Sequence, residues 1–75
     1  MESNQYIERN PQVMLGKPII KGTRITVEQI MRKLAEGETI NELLNAYPHL
    51  NEKQIKAAID FAADIIANED SLEVK

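Results

Sequence analysis

From Thr26 onward the apolar residues of this 75-residue chain recur at spacings of three, four and seven, the period of amphipathic helices. Val27, Ile30, Met31 and Leu34 form the first stripe. Thr26 opens it with Gln29 three residues on, a capping box, and Gly37 closes it as a left-handed C-cap. Ile40, Leu43, Leu44 and Tyr47 form a second, shorter stripe, opened by Thr39 with Glu42 and stopped by Pro48. Ile55, Ala58, Ile59, Ala62, Ile65 and Ile66 form the third, opened by Asn51 with Gln54 and running to about Asn68. The pattern predicts three helices. Helices two and three, joined by Tyr47-Pro48-His49-Leu50, read as a homeodomain-like helix-turn-helix pair.

The first third of the chain has a different rhythm. Tyr6-Ile7-Glu8-Arg9 is β-compatible and Asn10-Pro11 stops it, so a strand is expected at about residues 5–9. Gly16 to Ile25 holds two of the three glycines, one of the three prolines and three of the nine basic residues. Gly16 and Gly22 are expected to take φ > 0, and Pro18 pushes Lys17 toward extended backbone. A second strand is expected at 23–26, paired with 5–9. The fold class is therefore mainly α: a small homeodomain-like three-helix helix-turn-helix domain preceded by a short N-terminal β-hairpin. One domain covers 1–75, with a strand-and-turn platform at 5–26, helices at 26–68 and a flexible acidic tail at 69–75.

Size adds one expectation. A chain of this length buries only about 60% of its unfolded surface, and two short strands want more support than one copy supplies, so a homodimer is expected. Zero cysteines exclude disulfides and thiolate metal sites, and no apolar run approaches bilayer-spanning length. A cytoplasmic protein without membrane contact is expected.

Charge adds another. Residues 1–33 carry six basic and three acidic residues, a balance of +3, whereas residues 34–75 carry three basic and nine acidic, a balance of −6. Bulk nucleic-acid binding is disfavoured, because phosphate contacts need clustered Lys and Arg. One basic end is left for operator DNA: Arg9, Lys17, Lys21 and Arg24 around the platform, with Lys53, Gln54 and Lys56 at the start of the third helix. The acidic end offers Asp64, Glu69, Asp70 and Glu73 to a basic protein partner.

The inventory for catalysis is thin. There is a single histidine, His49, in a proline-containing turn, and Asp60 with Asp64 at i, i+4 reads as a solvated helix face. No enzyme activity, cofactor, metal or small-molecule substrate is expected.

Gly16-Lys17-Pro18-x-Ile20-x-Gly22-Thr23-Arg24-Ile25, followed by Tyr47-Pro48-His49-Leu50, Ile55, Ala57-Ala58 and Phe61-Ala62, resembles the bacterial family called domain of unknown function 433. The motif positions carried over are Gly16, Lys17, Pro18, Gly22, Thr23, Arg24, Ile25, Tyr47, Pro48 and Leu50. Leu15, Ile19 and Thr26 stand where the family often has His or Gly, Cys, and Pro, so no metal or thiol chemistry carries over. The resemblance implies an antitoxin of a type II toxin–antitoxin system, neutralising a PIN-like ribonuclease toxin and binding operator DNA as a dimer. Two other readings stay open: a stand-alone helix-turn-helix transcriptional regulator, and a structural or adaptor module with no nucleic-acid role.

Overall fold

The computed structural model describes residues 5–69. Asp70 and Glu73, expected to face a partner, lie outside them, as does nearly all of the expected tail. In chain order come β1 (Ile7–Glu8), a 3-10 turn (Met14–Gly16), β2 (Ile19–Ile20), α1 (Val27–Ala35), α2 (Ile40–Ala46) and α3 (Glu52–Ala67). The mainly helical architecture with a short N-terminal antiparallel pair is as the sequence predicts. No helix among the described residues is long and apolar enough to cross a membrane.

All three helix starts carry the reciprocal capping box. Thr26, Thr39 and Asn51 accept from the backbone N–H of Gln29, Glu42 and Gln54, whose side chains accept from the cap backbone in return. Each box satisfies two of the N–H groups that a helix start leaves without partners. Gly37, at φ +103°, ends α1 in a Schellman motif: Gly37 N–H bonds Leu34 O (3.0 Å) and Glu38 N–H bonds Lys33 O (3.1 Å).

The strand pairing differs from the expected one. β1 pairs with β2, Ile7 opposite Ile20 and Glu8 opposite Ile19, rather than with residues 23–26. The turn after Ile20 explains the difference. Gly22, at φ +80°, reverses the chain, and Thr23 pins it by giving both its N–H (2.9 Å) and its hydroxyl (2.8 Å) to Ile20 O. The hydroxyl oxygen accepts from Ile25 N–H in turn (3.0 Å). This brings residues 25–27 along the other edge of β2, where Ile20 N–H bonds Ile25 O and Val27 N–H bonds Pro18 O, both at 2.9 Å. An isolated bridge joins Ile19 to Thr26. The connecting Ile19-Ile20 is thus the middle strand.

One apolar core sits between the strands and the helices. Ile7, Ile20, Val27, Ile30, Leu43, Leu50, Ile55, Ala57 and Ala58 fill it, and α1 packs most extensively on α3. The predicted stripe of α3 is buried only at its start. Ile55 and Ala58 are enclosed, Ala57 joins them, and Ile65 and Ile66 are 40% and 66% exposed. The last turns of α3 overhang the core.

Gly22 generates a prediction. A Cβ built there meets nothing within 4 Å, so the cost of a side chain comes from the left-handed backbone alone. Gly22→Val is expected to destabilise by more than about 1 kcal/mol, and Gly22→Asn by less, because Asn tolerates this region. Thermal unfolding of the two variants checks the order.

Candidate functional site

The two sequence blocks that the family resemblance rests on meet at one open hollow of about 620 Å³. Val13, Ile19 and Ile25 give it apolar walls, and Glu8, Arg24 and His49 supply its polar groups. Local structure explains how each arrives. Gly22 and Thr23 build the turn that turns Arg24 outward. Leu50, buried, anchors the 47–50 turn through its N–H to Tyr47 O (2.9 Å), which leaves His49 at the surface. Glu8 comes from the strand position opposite Ile19. Neither Glu8 nor Arg24 has an ion pair or side-chain hydrogen bond among the described residues.

A second hollow of about 370 Å³ lies on the first half of α3, lined by Tyr6, Lys53, Lys56, Ala57 and Asp60. Lys21 N–H donates to Tyr6 O at 2.7 Å, which sets the Lys21 backbone next to it. The cationic candidates are otherwise spread over different environments. Arg24 lines the first hollow and Lys53 with Lys56 the second. Lys56 also pairs with Glu52 (3.1 Å), and the Arg9 guanidinium lies 5.8 Å from the centre of the Phe61 ring, a cation–π contact. The Gln54 side chain closes the α3 capping box, accepting from Asn51 N–H at 2.8 Å.

Lys17 is also engaged. Its Nζ lies 3.2 Å from Glu28, whose other carboxylate oxygen accepts from Arg32 Nε at 3.0 Å. Hydrogen bonds from Arg32 and then Lys17, with the attraction of both charges, hold the Glu28 carboxyl below the ordinary glutamate range. All three side chains are well exposed, so solvent screens the gain.

The acidic candidates divide. Asp64 is half-buried on the last turns of α3, where its carbonyl accepts from the Asn68 backbone and side-chain amides. Glu69 is exposed just past the helix end. They flank the exposed Ile65 and Ile66. Among the described residues no group of three or more His, Asp or Glu gathers closely enough to hold a metal ion.

Sequence reasoning missed one feature. Met14, Leu15 and Gly16 are left-handed in succession, at φ 49°, 58° and 79°, and Leu15 is 92% exposed. Left-handed backbone at a non-glycine residue costs about 1–3 kcal/mol. An apolar residue next to Gly16 was the available signal, but no periodicity assigns it a face.

Residues 7–62 match the family described as Protein of unknown function (DUF433), and the chain belongs to that family. It is 27% identical over 60 residues to Uncharacterized protein y4eO of Sinorhizobium fredii (strain NBRC 101917 / NGR234). That match takes in 80% of this chain and spans only 27% of the relative's length. No solved structure matches the chain.

The Glu28 cluster makes a pH prediction. A carboxyl lowered in the folded state adds stability above its unfolded value, and this is lost as pH falls through the folded value. Acid-range stability should therefore fall less steeply in Glu28→Gln than in the parent. Arg32→Ala and Lys17→Ala should each move the Glu28 titration, followed by NMR, upward toward the ordinary range.

Proposed function

We propose that this chain is an antitoxin-type interaction protein that holds a PIN-like ribonuclease through the overhanging end of α3. The observation that carries the reading is the exposure of Ile65 and Ile66, 40% and 66%, beside Asp64 and Glu69. A ribonuclease needs a positively charged surface to bind RNA, and carboxylates occupy such a surface by imitating phosphate. The two isoleucines add burial at about 25 cal/mol per Å² of apolar area removed from water. Acidic and apolar groups gathered at and just past one helix end suit that task. The family match names no partner, so the partner class rests on the chemistry of this helix end and on the resemblance to antitoxins.

The experiment pairs the chain with a nuclease-fold protein encoded beside its gene and measures RNA cleavage. The parent chain is expected to inhibit. Ile66→Lys with Asp64→Lys is expected to weaken inhibition at least about tenfold, a loss of about 1.4 kcal/mol in binding, with the melting temperature little changed. Full inhibition by that double variant, with the fold intact, moves nuclease binding off α3.

A second reading, operator binding, is favoured by Lys53 and Lys56 lining one hollow with Tyr6 at the start of α3. Glu52 and Asp60 beside them oppose phosphate approach. If DNA binds there, Lys53→Ala should weaken it across sequences and reduce the salt slope by about 1, as a phosphate contact does. An unchanged slope in titrations at several salt concentrations removes Lys53 from the DNA contact.

A further inference from the structure

The hollow formed by the two motif blocks has the properties of a surface that recognises itself. Its walls, Val13, Ile19 and Ile25, are apolar. Two residues beyond Val13 stands Leu15, 92% exposed on left-handed backbone, an apolar knob where the hollow offers an apolar socket. The rim carries one cation, Arg24, and one anion, Glu8, neither of them ion-paired among the described residues. A twofold contact brings the same patch together with itself, so residue i meets j and j meets i. Such a contact needs equal and opposite charges and a knob matched by a hole. Both are present here.

We infer that this face joins two copies of the chain about a twofold axis. Leu15 of each copy seats in the hollow of the other, and Glu8 of each pairs with Arg24 of the other. A strongly basic or strongly acidic partner fits less well, because one of the two rim charges is then opposed by a like charge. Nucleic acid is disfavoured for the same reason, since Glu8 faces its phosphates. A stable interface takes about 800 Å² per partner, a modest share of the 5360 Å² that this chain exposes. The left-handed cost at Leu15 is consistent with a side chain held outward for contact. The contact is independent of whether the partner at α3 is a nuclease.

The test is oligomeric state by light scattering and sedimentation across micromolar concentrations. The parent chain is expected at twice its 8.5 kDa mass. Leu15→Asn removes the knob while suiting the left-handed backbone, so the fold should be at least as stable, and dissociation is expected to strengthen at least tenfold. Glu8→Arg alone places two cations at each rim contact, and Arg24→Glu alone places two anions; each is expected to be monomeric. Mixed one to one, the two single variants restore both opposite-charge pairs and should associate as a heterodimer. A parent chain that stays monomeric overturns the inference. So does a dimer indifferent to Leu15→Asn, or charge variants that fail to complement while each retains the parent's melting temperature and circular dichroism.

Discussion

The fold turns on the need to satisfy the buried backbone of Ile19-Ile20 from both edges. The two side chains are 1% and 0% exposed, so the polar groups between them cannot be left to water. β1 serves one edge and the 25–27 segment the other. The second edge exists only because the chain reverses within Lys21–Arg24. That reversal depends on a glycine able to hold φ +80° and a threonine whose hydroxyl both gives and takes a hydrogen bond. Thr26 then closes the bridge to Ile19 and caps α1 in the same step. The turn, the sheet and the first helix are therefore one cooperative unit. A defect at Gly22 is felt along the whole series.

The same dependence gives the Gly-Thr-Arg-Ile run a physical meaning. Gly22 supplies the left-handed residue, Thr23 locks the turn, and Ile25 returns to β2. Arg24 faces outward, with no ion pair or side-chain hydrogen bond among the described residues. In the second block Leu50 anchors the core, Tyr47 accepts the turn hydrogen bond and His49 faces the hollow. Most of the motif is architecture, and a few positions are displayed by it.

How much was legible follows from the range of each signal. The capping boxes act within four residues, so Thr26, Thr39 and Asn51 could be read directly and all three helices begin where the sequence puts them. The strand partner could not. Ile19-Ile20 is too short for periodicity, and its place in the middle comes from a turn whose direction is set by dihedral angles. The end of α3 misled for a related reason. Ile65 and Ile66 continue the helical stripe faithfully, but the core they point along ends before them. Periodicity reports which face is apolar, and only the packed neighbours decide whether that face is covered. The hollow joining Arg24 to His49 was beyond sequence reasoning altogether, since it depends on two turns 25 positions apart being folded against one another.

Charge placement sharpens the division between framework and display. The residues of α1 and its flanks neutralise one another: Lys17 and Arg32 share Glu28, and Lys33 lies 3.7 Å from Glu38. Exposed pairs of this kind contribute little to stability, but they leave that face without a strong local field. Four charges without an ion pair among the described residues lie elsewhere, next to apolar surface. Arg24 and Glu8 rim the apolar hollow, and Asp64 and Glu69 flank the overhanging isoleucines. In both places the uncompensated charge stands beside exposed or accessible apolar surface. That combination serves protein contact better than phosphate tracking, which needs charge of one sign spread along a groove. The two places lie on separate elements, so the two contacts proposed above, one with a like copy and one with an unlike partner, call on different side chains.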